Sequence, residues 1–235
     1  LDEVAPGEWV LFKSIKPFAS TPNDTDWFPL DPSRHEDLCN HLLESGDFVW
    51  LETAPRQTTL VERKGVGKTD TSKKGGVFYI DCYVTPSTDY FVYMDSSRLG
   101  PHVRSKDVDG TLVPVLSASA ELAATMFHNV FPERSYSAES YYLIKSYLEE
   151  IVQDGDIEEF IDLCEQECME YAVSVNLAIT AEIDRIYFDR CDPVHGLLMH
   201  RLGHSDLKVK GFNAQSNLPF EIPNKYFWSA FLRKQ

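Results

Sequence analysis

The stretch "KSIKPFASTPNDTDWF", Lys13–Phe28, runs from the end of an apolar segment to two aspartates one residue apart. Residues i and i+2 of a strand face the same side, so Asp24 and Asp26 project together. Two carboxylates so placed repel each other and resist burial unless a positive charge sits between them. Trp27, Phe28 and Leu30 follow them as core material, and the turn formers "ASTPN" precede them. The pattern is that of a loop feeding a buried strand whose acidic face needs a cation.

A third carboxylate lies in "VFYIDCYV", where Asp81 interrupts a run that otherwise reads as a fully apolar central strand. A buried aspartate is costly without a cation or a strong hydrogen-bond partner. Three aspartates on adjacent strands make a hard oxygen cage suited to Mg²⁺ or Mn²⁺, in which metals about 3.5–4 Å apart activate a nucleophile and steady a leaving pyrophosphate. The expected positive partner is metal bound with a nucleotide. Asp95, in "VYMDS", competes with Asp81 for the third position, although the flanks of Asp81 are more apolar.

Around these residues the chain shows two kinds of pattern. From Glu8 to about Val115 it is rich in aromatic and β-branched residues in short runs: "EWVLFKS", "DTDWFPL", "DFVWLETA", "TTLVERK", "VFYIDCYV" and "YFVYMDS". One helix interrupts them near Ser33 to Glu44, with Asp31 or Ser33 as cap and Leu38, Leu42 and Leu43 as its apolar face. From Ser117 onward helical periods take over. "SASAELAATMFHNVF" ends at Pro132, and "SAESYYLIKSYLEEIVQ" starts with Ser137 as cap. "DIEEFIDLCEQECMEY" sets Ile157, Phe160, Ile161, Cys164 and Cys168 on one stripe. "AVSVNLAITAEIDRIYFDR" forms a fourth helix, and shorter ones near Leu197 and Tyr226 close the chain. Strands followed by helices predict an α+β fold, a mixed-sheet core over 1–116 and an all-helical domain over 117–235, with the boundary in "DVDGTLVPVLSAS".

Composition narrows the function classes. The net charge of −15, from 37 acids and 22 bases, argues against a broad nucleic-acid surface. There is no apolar run of about 18 residues and no signal-peptide pattern at "LDEVAPGEWV", so no membrane association and a cytoplasmic location are expected. Five cysteines at irregular spacing argue against a disulfide framework and for a reducing compartment. A start at Leu1 rather than Met is compatible with a trimmed chain that lacks an element before Trp9.

At this point the sequence resembles the DNA polymerase β-like nucleotidyltransferase superfamily. Its signature is Gly-Ser ending a strand, about ten residues of loop, Asp-x-Asp on the next strand and a further Asp or Glu on a later one. Here Lys13 and Ser14 end "WVLFKS", nine residues follow, "DTD" comes next, and "YIDCY" carries Asp81. "STPNDTD" is similar to the Thr-Pro-x-Ser-Asp-x-Asp wording of minimal members. "FVYMDSSRL" and "HNVFPERSYSAESYYLI" resemble segments of archaeal members with a helical tail. The resemblance covers Trp9 to Glu150 and implies a nucleotidyltransferase-type sheet with a helical C-terminal domain. It further implies Asp24, Asp26 and Asp81 as metal ligands and catalytic residues, and Ser14, with Lys13, Ser20 and Lys68, at the nucleotide phosphates. The reaction implied is transfer of a nucleoside monophosphate from an NTP to a hydroxyl of an RNA end, a protein or a small molecule. A toxin–antitoxin type partner is permitted, and a catalytically silent nucleotide- or partner-binding version is the alternative. The departure is Lys13, where the family has glycine: its side chain either narrows the site or contacts phosphate itself.

Other stretches carry weaker signals. "KGVGKTD", Lys64–Asp70, is not a P-loop, because the position that needs glycine is Glu62. Its surroundings, Arg56 to Lys74, hold six bases against two acids, a local excess that attracts a triphosphate or RNA if it is not simply a solvated loop. "CDPVHGLLMHRLGH" gathers Cys191, His195, His200 and His204 without the glutamate of a zinc protease, and reads as core and cap histidines. Leu148 to Glu170 carries ten acids and no bases, the mark of a solvated helix face. Tyr141, Tyr142 and Tyr147 are explained by helix packing as well as by base stacking.

Overall fold

A computed structural model describes residues 1, 7–18, 24–65, 78–213 and 216–234. The chain divides into two compact units, Leu1–Ser117 and Ala118–Gln235. Among the described residues the fold is mixed α+β, with seven helices and a seven-stranded mixed sheet. No helix among them is long and apolar enough to cross a membrane.

The first unit is built on strands β1 (Trp9–Phe12), β2 (Asp24–Pro29), β3 (Phe48–Ala54), β4 (Gln57–Glu62), β5 (Tyr79–Tyr83), β8 (Val103–Val108) and β9 (Thr111–Leu116), with helix α1 (His35–Glu44) between β2 and β3. Their order is β3-β4-β5-β2-β1-β9-β8. Two neighbour pairs are parallel, β2 with β5 and β1 with β9; the others run antiparallel. Period-2 alternation sorts the side chains. Trp9, Trp27, Leu60, Ile80 and Cys82 point to one face and pack with Leu38 and Cys39 of α1. Phe12, Phe28 and Tyr83 belong to the other face, where Phe12 meets Phe28 and Tyr83 edge-on at ring distances of 5.1 and 5.4 Å. Asp24, Asp26 and Asp81 fall on that second face by the same alternation.

Two parts of the first unit differ from the sequence reading. "YFVYMDS" is not a sheet strand. Only β7 (Phe91–Val92) is extended, paired with β6 (Ser87–Thr88), and Ser96–Arg98 turns into a 3₁₀ helix capped by Asp95. "DVDGTLVPVL" forms a β8–β9 hairpin, and the division between the units follows it at Ser117, inside the expected stretch. Asp109 and Gly110 both take positive φ, 52° and 84°, which is the backbone of a tight two-residue hairpin.

The second unit contains α2 (Ala118–Val130), α3 (Ala138–Asp154), α4 (Ile157–Gln166), α5 (Glu170–Tyr187), α6 (Pro193–Arg201) and α7 (Asn224–Lys234). It is not all-helical: β10 (Ser135–Tyr136) pairs with β11 (Phe220–Glu221). Ser137 caps α3 in a reciprocal arrangement with Ser140, each side chain meeting the other's backbone N–H, which satisfies donors that a helix start leaves open. Gly155 ends α3 at φ 80°, the left-handed position that glycine tolerates best. The third helix is shorter than its apolar stripe predicts. Cys168 takes φ 53° just after α4, leaves the stripe and is exposed, while Cys164 stays buried. A polar network crosses the core, with Asn129 Nδ2 donating to Asn176 Oδ1 at 2.9 Å and Tyr136 meeting Thr180 at 2.6 Å.

Candidate functional site

The parallel pairing of β2 and β5 sets Asp26 opposite Asp81, with Asp24 opposite Tyr79. Side chains at paired positions of parallel strands stand side by side, so the three carboxylates converge. One oxygen from each of Asp24, Asp26 and Asp81 lies within 4.8 Å of the others. Oxygens bound to one Mg²⁺ are at most about 4.2 Å apart, twice a 2.0–2.1 Å bond, and the larger Ca²⁺ spans about 5 Å. All three donors are carboxylate oxygens, the ligand type that hard divalent cations take.

The counter-charge that the sequence called for is visible in the protein itself. Lys13 Nζ lies 3.0 Å from Asp26 Oδ2, with 14% and 13% of the two side chains exposed. The ammonium also sits 4.7 Å from the centre of the Phe12 ring and 5.6 Å from that of Tyr83. Lys13 holds φ at 57°, the left-handed region that favours glycine. The position where the resembled family has glycine thus keeps a glycine-like backbone while carrying a side chain that reaches back to the carboxylates. Burial raises the Asp26 carboxyl above its ordinary 3.8 against the pull of Lys13, and Asp81 and Asp24 add to the rise. Burial, with help from the same carboxylates, also keeps the Tyr83 phenol protonated.

Ser14 follows Lys13 and is tied to the strand it faces. Its hydroxyl oxygen accepts from the Asp26 N–H at 2.8 Å and lies within donating distance of the Phe12 and Asp26 carbonyls, at 3.1 and 3.2 Å. These contacts extend the β1–β2 pairing past Phe12 and fix where Asp26 stands. Asp81 has a partner that the sequence reading missed: Thr59 Oγ1, on β4, donates to Asp81 Oδ1 at 2.6 Å. The register of β4 against β5 pairs Thr59 with Asp81. "TTLVE" gave only the signal of a threonine on an apolar strand.

Comparison of the chain with family models, with curated proteins and with solved structures finds no match.

Asp95 stands apart from the triad. Its Oδ1 accepts from the Ser97 N–H at 3.1 Å and the Ser97 hydroxyl at 2.7 Å, a capping role at the 3₁₀ turn. Ser20 and Lys68 lie outside the described residues, as does the centre of the basic stretch. Of its described members, Arg63 donates to the Gly46 carbonyl at 2.6 Å, Lys64 pairs with Glu62 at 3.4 Å, and Arg56 sits at φ 82° in the β3–β4 turn.

In the second unit, His195 rather than His200 or His204 meets carboxylates. Asp184, Asp192 and His195 each bring one ligand-type atom within 4.8 Å of the others. A cation is already there: Lys145 Nζ lies 3.0 Å from Asp184 Oδ2 and 2.7 Å from Asp192 Oδ2, and Tyr141 donates to Asp184 Oδ1 at 2.6 Å. This group is a structural ion pair with its own counter-charge. Tyr141 and Tyr147 are buried in helix packing, and Tyr142 is exposed.

Proposed function

We propose that the first unit is the core of a Mg²⁺- or Mn²⁺-dependent nucleotidyltransferase. It moves a nucleoside monophosphate from an NTP to a hydroxyl acceptor and releases pyrophosphate. The observation that carries this reading is the convergence of Asp24, Asp26 and Asp81, from two parallel neighbouring strands, onto one point of the sheet face. In this scheme Asp24, Asp26 and Asp81 would hold the metal, which would neutralise charge on the triphosphate, and Asp81, oriented by Thr59, would receive or direct the acceptor's proton. The acceptor oxygen attacks the α-phosphorus, and the bond to the bridging oxygen breaks as pyrophosphate leaves. Metal supplies charge neutralisation on the phosphates when bound; the protein supplies position. The resemblance assigns Lys13 and Ser14, on the loop after β1, to the phosphates. The acceptor is an RNA end, a protein side chain or a small molecule, and a toxin–antitoxin partner belongs to the same reading.

One observation favours a second reading. The Lys13 ammonium occupies the carboxylate that a metal needs, as in a nucleotidyltransferase-type fold that binds a nucleotide or a protein partner without transferring anything.

Incubation with each α-labelled NTP, Mn²⁺ and pooled RNA or protein acceptors separates the two. Labelled acceptor formed by the wild-type protein and not by Asp24→Asn/Asp26→Asn supports transfer. Nucleotide- and metal-dependent thermal stabilisation without labelled product supports the silent version. Absence of both in the wild-type protein overturns the nucleotide site.

A further inference from the structure

The second unit contains a cavity of about 570 Å³ that plays no part in the scheme above. One wall is the face of α5 that carries Ala178, Ala181, Glu182 and Arg185, at helical spacing. The others are the turn from Arg190 to Asp192, the α6 residues His195, Gly196 and Met199, and the segment from Ser205 to Phe212. Its volume lies within the roughly 300–1,000 Å³ of small-molecule sites.

His195 is the feature that asks for a ligand. It is 2% exposed, it lines the cavity, and neither ring nitrogen has a hydrogen-bond partner. Its Nδ1 is 3.8 Å from Asp184 Oδ2, beyond hydrogen-bond reach. Buried polar groups are almost always partnered, so one left open beside a cavity calls for an explanation, and a bound species is one that the cavity allows. Burial and the nearby Lys145 ammonium hold the imidazole below its ordinary 6.5, so at neutral pH it offers one N–H and one lone pair.

The charges around the cavity define the ligand. The lining carries three bases, Arg185, Arg190 and Lys208, against two acids: Glu182 pairs with Arg185 through Nε at 2.8 Å and the second nitrogen at 2.5 Å, and Asp192 shares Lys145 with Asp184, at 2.7 and 3.0 Å. The Arg190 and Lys208 side chains make no hydrogen bond or ion pair among the described residues. Lys208 adds only a weaker pull on Glu182. In a chain of net charge −15 this is a local positive excess beside apolar walls.

We infer that this cavity binds a small organic anion, with its phosphate or carboxylate at Arg190 and Lys208, its apolar body against Met199 and Phe212, and His195 as the buried polar anchor.

Phenyl phosphate and benzoate serve as the anionic probes and benzylamine as the cationic control, titrated into the full chain while the histidine ring nitrogens are followed by NMR. His195→Asn assigns the His195 signals. A Cβ on Gly196 would meet no heavy atom within 4 Å, and the residue has no positive φ, so Gly196→Leu fills the cavity without straining the helix. The expected result is a saturable shift of the His195 resonances with an anionic probe and none with benzylamine. Affinity should fall at least about tenfold, or about 1.4 kcal/mol, in Gly196→Leu and in Arg190→Gln/Lys208→Gln, and be unchanged in Asp24→Asn/Asp26→Asn. A preference between the two anions identifies the headgroup. The inference is overturned if neither anion shifts His195 at millimolar concentration, if benzylamine does so equally, or if a folded Gly196→Leu protein binds as the wild type does.

Discussion

Replacing Lys13 by glycine takes the ammonium away from Asp26 and gives the left-handed backbone the residue that tolerates it best. The two effects oppose each other. Relief of a side chain at φ 57° contributes about 1 kcal/mol. Loss of the 3.0 Å ion pair leaves Asp26 facing Asp24 and Asp81 uncompensated. Breaking a fully buried pair costs about 3–5 kcal/mol, and the remaining solvent access puts this one near 3. The net loss is about 2 kcal/mol, or roughly 4–8 °C in midpoint for a chain of this length. Its pH dependence has a definite sign. The folded Asp26 carboxyl lies above 3.8 in the wild-type protein and rises further without Lys13. As pH climbs, the unfolded state loses its proton first, so the penalty is absent below 3.8 and grows until the folded group ionises. The gap between the proteins should be closed or reversed at about pH 3.5 and full at about pH 8. Mn²⁺ then becomes the replacement counter-charge, and at a hundredfold excess over its Kd it returns about 2.7 kcal/mol. Thermal unfolding of both proteins at the two pH values, with and without Mn²⁺, tests each step. A glycine variant as stable as wild type at the higher pH without metal would refute Lys13 as the counter-charge. So would one that gains no more from Mn²⁺ than wild type does.

Thr59→Val removes the 2.6 Å hydrogen bond to Asp81. It should cost about 1.5 kcal/mol in urea denaturation and weaken Mn²⁺ binding by about tenfold, as loss of an orienting partner does. Lys145→Met strips the counter-charge from Asp184, which is 2% exposed, and should destabilise the protein by about 3 kcal/mol near neutral pH. Burial raises the Asp192 carboxyl, but hydrogen bonds from Lys145 and the Val194 N–H outweigh it and leave it below 3.8. That contribution is present above 3.8 and lost as pH falls through the folded value, so the gap between wild type and Lys145→Met should narrow in acid. Ser137→Ala breaks the cap of α3 and should cost about 1 kcal/mol in the same denaturation assay. Of the five cysteines, only Cys168 and Cys191 are exposed, so a thiol reagent should modify two rapidly in the native protein and the rest only on unfolding. Cys39 tests this most sharply: its neighbours Cys82 and then His35 lower its thiol against the effect of burial, yet it stays 2% exposed.

How far the site could be read in advance depended on the kind of information each residue carries. Asp24 and Asp26 were legible because a period of two is a local property, and Asp81 because a charge in an apolar strand stands out against its neighbours. The Ser137 cap was legible for the same reason. Thr59 was not, because its role depends on the register of β4 against β5, and threonine is an ordinary strand residue wherever it points. Asp95 drew attention as a carboxylate among aromatics, but Ser97 two residues on converts it into a cap. The stretch from Asp107 to Ser119 does contain the division between the units, but Asp109-Gly110 within it is a hairpin signal that closes β8 onto β9. Cys168 left its stripe because α4 ends before that turn is complete, and helical periodicity does not record where a helix stops.

The sequence by itself determined the α+β composition, the alternation that puts three aspartates on strand faces, and the requirement that something positive sit among them. These follow from local periods and from the cost of burying like charges. Only the tertiary structure decided what that positive group is. Lys13 reaches Asp26 because its backbone takes a left-handed turn after β1, and Asp81 stands beside Asp26 because β2 and β5 pair in parallel. The same holds for His195, which the sequence marks only as a core or cap histidine and which the packing of α5 and α6 leaves unpartnered against a cavity. Strand pairing, loop handedness and cavities join residues far apart in the chain, and a local pattern does not encode those distances.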